Sequence, residues 1–372
     1  MNPEKYLTDN NLWDLERLKL HAQEHSVYVI ESPRFPGLAQ LHYQDVCQYD
    51  NLWTPFSRMS RGLLLDLKNK KILAFGFSKF FNLGQTSETS YDILKNKGSF
   101  EVSEKMDGSY IQVIQDPETG LFHCLTKGSM DSEHGLYATS IIPEVLKDSK
   151  LTDKYTLMLE LIAPQFQIVI NYAKKGYDFG LYLIGAREKA TNRLLSYAEV
   201  TLLAKDLGLP CIKTYKFESL DHLIEESQHL SILDEGFVLR WEPELLVKIK
   251  GPKYLEMHRF ISNLSDRNIL QAVSNNTSDE LKSVCPEEYK TEVVAKINYF
   301  EKRVVNFQEE MYNKYIQAPK ESRKEFAMWT NQNVEKYLRG FLFQLFDKKD
   351  LDRKHICKVI EEVEHVTGVT KI

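Results

Sequence analysis

The sequence predicts an α+β domain over residues 1–254 followed by an all-helical domain over 255–372. Three observations predict it. Short runs rich in β-branched and aromatic residues, separated by turn residues, recur as far as residue 250, the pattern of strands. Near residue 251 this alternation stops and an apolar period of three to four residues takes over, the pattern of amphipathic helices. The length, 372 residues, suits two domains, and 42% hydrophobic residues can build a core in each.

In chain order, Leu12, Leu15, Leu18 and Leu20 have helical spacing behind Asp9, which is expected to cap the helix. VYVIES (27–32) reads as a strand, and 61–76 as two strands around a turn at 68–71. Residues 109–126 read as a hairpin closed by D-P-E-T-G. Further strands are expected at 155–163, 167–172, 178–188, 235–241 and 245–250, and helices at 196–208 and 219–230. In the tail, Val293, Ile297, Phe300, Val304, Phe307 and Met311 mark one long helix over 286–317, opened by Pro286 and closed before Pro319. Two more helices are expected at about 321–346 and 350–364.

Composition narrows the function. With 27% charged residues the chain is neither disordered nor collagen-like. No apolar run approaches the length of a membrane-spanning helix, and the polar first twenty residues carry no signal-peptide core. The five cysteines are scattered without C-x-x-C spacing, as expected of a reduced, cytoplasmic protein without a zinc site. At a net charge of −5, any polyanion site must be a local patch.

The first chemical feature is Glu104-Lys105-Met106-Asp107-Gly108-Ser109. K-x-D-G alone fits a surface turn with a solvated lysine better than it fits a nucleophile. As a nucleophile, Lys105 would have to lose its proton near neutral pH, against a reference pKa of about 10.4. Burial and nearby positive charge are expected to supply that shift. Lys248 and Lys250 alternate in LLVKIK, so they share one strand face about 7 Å apart. The pair alone suits an edge strand first, and also a phosphate clamp, hydrated in the empty protein. Glu160 interrupts LMLELIA and Glu235 opens GFVLRW. Either could bind a ribose hydroxyl or a hard divalent cation. Arg61, Lys79 and Lys127 sit at strand ends and turns, and with Lys248 and Lys250 they would make an electropositive pocket around Lys105.

In order, EKMDGS, LMLELIAP, DFGLYLIGARE, DEGFVLR and LLVKIKGPKY resemble the motifs of the covalent nucleotidyltransferases, the superfamily of polynucleotide ligases and capping enzymes. SRMSRGLLLD followed by FSKFFNLG, the segment TKGSMDSEHG and the helical tail resemble the T4 RNA ligase 1 family. The resemblance implies an ATP-grasp-like nucleotidyltransferase fold of antiparallel sheets with helices. It implies ATP and Mg²⁺ (or Mn²⁺), with Lys105 as the nucleophile that takes AMP. It assigns nucleotide contacts to Arg61, Lys79, Glu104, Lys127, Glu160, Glu235, Lys248, Lys250 and Tyr254, Glu235 also serving the metal. Met106 stands where the subfamily often has an acidic residue, so a metal contact from that position is missing. Tyr182 is the candidate to stack on adenine. The implied partner is RNA with 3′-hydroxyl and 5′-phosphate ends, such as cleaved tRNA, met by a monomer with 255–372 as its RNA-substrate domain. DNA ligases and GTP-using capping guanylyltransferases follow the fifth motif with a β-rich OB domain; here the chain turns helical. The third alternative, a non-catalytic RNA-binding homologue, has no need for an intact Lys105, Glu160, Glu235, Lys248 and Lys250.

Overall fold

The computed structural model describes residues 2–364 apart from 243, 264 and 286. Internal contacts divide the chain into two units, Met1–Glu256 and Met257–Ile372. No described helix is long and apolar enough to cross a membrane.

The first unit holds three sheets. One is a meander of β1 (Val27–Ile30), β2 (Leu38–Tyr43), β3 (Arg61–Asp66) and β4 (Lys71–Ala74). The next strands along the chain are β5 (Phe81–Asn82), β6 (Glu101–Lys105), β7 (Ser109–Gln115), β8 (Phe122–Thr126), β9 (Tyr155–Ile162), β10 (Gly180–Glu188), β11 (Arg193–Leu194), β12 (Thr214–Tyr215), β13 (Gly236–Trp241) and β14 (Leu245–Lys250). The second sheet runs β11-β10-β9-β7-β8 and the third β12-β6-β13-β14-β5. All pairings are antiparallel except β14 with β5.

Local chemistry explains the pieces that place the site. The β7–β8 hairpin closes because Asp116 accepts from Glu118 N at 3.0 Å and Thr119 Oγ1 at 2.6 Å, while Gly120 turns at φ +70°. Central β9 is buried on both faces, which is why its sequence is an apolar run that only Glu160 interrupts. Each sheet is backed by a helix. Val200 and Ala204 of Tyr197–Leu207 pack on Leu181 and Leu183 of the second sheet. Leu220 and Leu223 of Leu220–His229 pack on Phe237 and Leu239 of the third.

The helical unit buries Ile269, Val273, Val293, Ile297, Phe300, Val304, Met311, Phe341 and Ile356 in one core. Its long helix, Glu287–Gln317, presents Val293, Ile297, Phe300, Val304 and Met311 at the three-to-four period read from the sequence. The expected opening residue, 286, lies outside the described residues.

Three expectations need correction. Asp9 ends helix Pro3–Asp9; Asp14 caps the next helix, Leu15–Glu24, by accepting from Arg17 N. The expected helix at 321–346 is two, Arg323–Asn333 and Arg339–Phe346. The chain breaks at Val334, extended and 5% exposed. Arg339 satisfies the freed carbonyls, donating to Val334 O at 2.9 Å and Asn331 O at 2.8 Å. Residues 167–172 form no strand. The amides of Val169 and Ile170 donate instead to Asp107 Oδ2, at 2.9 and 3.1 Å.

Candidate active site

Lys105 is the last residue of β6, and residues 106–108 carry the chain across into β7. Lys105, Gly236 and Lys250 lie opposite one another on β6, β13 and β14. Gly236 has φ +149°, and a Cβ there would stand 1.9 Å from Ile249 O, so only glycine lets the strands close here. Glu235, just before it, is 3% exposed and sits between both lysines. Its Oε1 is 2.7 Å from Lys105 Nζ and 2.9 Å from Lys250 Nζ. Its Oε2 is buried with no hydrogen-bond partner among the described residues.

The electrostatics differ from expectation at the lysine itself. Desolvation acts to lower the Lys105 pKa, but Glu235, Glu160 and Asp107 together outweigh it and hold it above the ordinary lysine value. Burial raises the Glu235 carboxyl, and Lys105 and Lys250 overcome that and hold it low. The expected depression falls instead on Lys248, pushed down to about 7 by burial and by Lys105, Lys79, Lys250 and Arg61. Lys248 is partly exposed, between the buried core and the open surface.

The loop after Lys105 is held from behind. Gly108 N donates to Glu160 Oε1 at 3.1 Å. Glu160 lies on β9 opposite Tyr110 and is pushed up to about 7 by burial, against the opposing pull of Lys105. Asp107 accepts the two amides of 169–170 on Oδ2 and the Tyr254 hydroxyl on Oδ1 at 2.7 Å, while its own amide donates to Tyr172 Oη at 2.6 Å. Glu104 accepts from Tyr177 Oη at 2.8 Å and Lys213 N at 2.9 Å. Tyr172 and Tyr177 were not singled out in the sequence; one tyrosine among 19 carries no local signal.

Beside Lys105 opens a cleft of about 210 Å³ between the second and third sheets. Phe77, Phe80, Tyr110, Ile184 and Val238 form its apolar walls, and Arg61, Lys105, Lys127, Glu104 and Glu160 its polar lining. The Arg61 guanidinium lies 4.6 Å from the Tyr110 ring, and its Nη1 is buried without a hydrogen-bond partner. Burial and then Arg61 lower the Lys127 pKa. The same cations, after burial, press His42 down to about 4. Lys79 lines an adjoining hollow of about 340 Å³ that shares Phe80 and Leu246 with the cleft. Its ammonium reaches Gln48 Oε1 at 2.6 Å within a box of Tyr43, Trp53 and Phe81, and is lowered to about 8, by burial first.

Of the expected nucleotide contacts, Lys79, Glu235, Lys248, Lys250 and Tyr254, and the stacking candidate Tyr182, are not among the residues that line this cleft. Tyr254 is 1% exposed and bound to Asp107. Tyr182 donates to Asp178 O, and Ile184, two residues on, faces the cleft in its place.

Comparison with known proteins places this geometry. Residues 59–254 match the model of the T4 RNA ligase 1 family, described as RNA ligase. A protein of Thermovibrio ammonificans assigned by name to the RNA ligases is 31% identical over 240 residues, 61% of each chain. A protein of Autographa californica nuclear polyhedrosis virus, named for both polynucleotide kinase and RNA ligase, is 24% identical over 250 residues, 61% of this chain and 34% of that one. The match thus spans less than two thirds of either relative. Among solved structures, an archaeal ATP-dependent RNA ligase is 17% identical over 83% of each chain, with a TM-score of 0.47.

Proposed function

The chain belongs to the RNA ligase family of the T4 RNA ligase 1 type, and from that premise we propose that it is an ATP-dependent RNA ligase working through a lysine–AMP intermediate. The observation that carries this reading is one carboxylate, Glu235, shared by Lys105 and Lys250 at the edge of a cation-lined cleft. Lys105, as the free amine, attacks the α-phosphate of ATP; an N–P bond forms, the P–O bond to pyrophosphate breaks, and the ammonium proton is given up. An oxygen of the RNA 5′-phosphate then attacks the adenylate phosphorus; a P–O–P bond forms, the N–P bond breaks, and Lys105 is released as the amine, which takes up a proton. The 3′-hydroxyl attacks that 5′-phosphate, forms the phosphodiester and expels AMP. Splitting the exchange at a covalent stage replaces one hard displacement by easier ones.

The roles of the surrounding residues follow from their chemistry. Arg61, Lys127, Lys248 and Lys250 offer positive charge to the phosphates, with Lys79 in the adjoining hollow. In a water-poor site such charges act strongly. Glu160 spends one oxygen on Gly108 N, leaving the other for a ribose hydroxyl. Tyr254 acts at one remove, by fixing Asp107 and so the nucleophile loop. The unpartnered, buried Oε2 of Glu235 suits a hard divalent cation, Mg²⁺ or Mn²⁺. When bound, such an ion offsets charge growing on the phosphate oxygens.

The helical unit is proposed as the RNA-substrate part, with broken tRNA as the substrate the resemblance favours. No strand follows Lys250 among the described residues, so nothing there supports the OB domain of a DNA ligase or capping enzyme. The test is incubation with labelled ATP or GTP, Mg²⁺ or Mn²⁺, and no nucleic acid. Label should enter the wild-type protein from ATP and be absent from Lys105→Ala. An AMP adduct on Lys105→Ala at wild-type level, seen by intact mass, would overturn the assignment.

A further inference from the structure

The helical unit has about equal numbers of acidic and basic residues, yet the fold does not spread them evenly. Helices Asp266–Asn275 and Arg353–Val363 enclose a groove of about 280 Å³ whose polar lining is Arg267, Gln271, Ser274, Lys354, Lys358 and Glu361. The core dictates this lining. The second helix buries Ile356, Cys357, Val359 and Ile360, and the first Ile269, Leu270 and Val273. Lys354 and Lys358 are thereby left on one exposed flank, one turn or about 6 Å apart along the axis. Neither lysine is in an ion pair among the described residues. Glu361 is engaged by Arg267 Nε at 2.8 Å, and the Arg267 side chain is still 63% exposed. Three cations therefore face one carboxylate that is already paired.

The groove is also built in advance. Arg353 ties the two helices together, donating through Nε to Val273 O at 2.7 Å and through Nη2 to Glu301 Oε2 at 2.6 Å. A cation-lined concavity with amide and hydroxyl groups, on rigid walls, is the electrostatic footprint of a site for nucleic-acid backbone.

We propose that this groove is an RNA phosphate-binding site, in which Lys354, Lys358 and Arg267 neutralise backbone phosphates of the substrate strand. The proposal rests on the RNA ligase reading, but it is tested apart from it. In the full-length protein, Lys354→Glu/Lys358→Glu and the milder Lys354→Gln/Lys358→Gln are compared with wild type in two assays. One is the lysine adduct formed from ATP without RNA. The other is affinity for a single-stranded RNA between 50 and 200 mM salt. Adduct yield should be unchanged in both variants. The slope of log affinity against log salt should flatten by about 1.4 in the Gln variant, at about 0.7 per phosphate contact. Its affinity loss across that salt range should be about sevenfold smaller than that of wild type. The Glu variant should bind more weakly still. Unchanged RNA affinity and slope in the folded Gln variant would overturn the groove and leave the ligase reading intact. Absence of any adduct in wild type, with the slope change seen, would do the reverse. An acidic peptide that binds wild type as tightly as RNA, and is lost in the same variants, would reassign the groove to a protein partner and overturn the proposal.

Discussion

The two units treat charge in opposite ways. The first buries Asp66, Lys79, Glu104, Asp107, Asp116, Glu160, Arg187, Glu235 and Arg240 among the described residues, each less than a tenth exposed. In the second, the buried polar side chains among the described residues are Ser265, Ser278 and Thr330, none of them ionic. Taking an ion out of water costs several kcal/mol even after relaxation, so a fold that tolerates nine must satisfy most of them individually. Arg187 and Arg240 show the structural way: both are bonded to main-chain carbonyls, Arg187 to Gly76 and Asn192, Arg240 to Leu194 and Leu195. Around Lys105 satisfaction is incomplete, with Glu235 Oε2 and Arg61 Nη1 left without hydrogen-bond partners among the described residues. An open valence is not diagnostic by itself, since Arg240 Nε is also without a partner among the described residues; the candidate site is marked by open valences together with shifted titration beside a cleft. The helical unit keeps its charges outside, where they are hydrated and suited to reversible contact with a polyanion.

Three substitutions would sharpen or break this contrast. The largest effect is expected from Phe341→Ala. Phe341 is fully buried, with its ring 5.0 Å from Phe307. Its loss should destabilise the helical unit by about 3–5 kcal/mol, seen as a lower melting transition, with adduct formation at 25 °C preserved. Adduct yield falling in step with the melting point would mean that the two units act as one cooperative body.

Glu235→Gln keeps shape and removes charge. Adenylylation should fall by roughly 10²-fold or more, the scale for losing a preorganised charge contact. Lys105 and Lys250, both 21% exposed, would also lose their common partner. An adenylylation rate within a factor of two of wild type would remove Glu235 from the machinery.

The smallest effect belongs to Lys248→Met, and its sign is set by linkage. Lys248 titrates at about 7 in the folded protein, below its unfolded value. Between about pH 7 and 10.4 the unfolded chain therefore binds more protons, and stability rises with pH over that window. Linkage alone would give wild type about 3–4 kcal/mol across it relative to the Met variant; water reaching this partly exposed lysine reduces the expected gain to the order of 1–2 kcal/mol, read from denaturant unfolding at pH 7 and pH 10. Equal pH dependence in both proteins would show that Lys248 reaches water freely.

Much of the architecture was legible because it is local. The D-P-E-T-G turn closes with its own Asp116 side chain, and the 287–317 helix shows its period directly. What failed was decided by distant partners. Residues 167–172 look like a strand, yet their amides turn to a carboxylate more than 60 positions earlier. The stretch 321–346 reads as one helix, and Val334 leaves it to enter the core.

By itself the sequence determined which side chains could meet at a site, since strand alternation puts Lys248 and Lys250 on one face and a glycine beside Glu235 lets three strands close. It did not determine the state in which they meet. Whether Lys105 or Lys248 feels the pressure to lose its proton depends on which has a carboxylate within 3 Å, and that carboxylate lies 130 positions away from Lys105. The charge-balanced tail likewise says nothing of where its cations gather until two helices bury their apolar faces and leave Lys354 and Lys358 on one flank. Propensity and periodicity act over a few residues, whereas desolvation and Coulomb interactions act through space between groups that only the folded chain brings together.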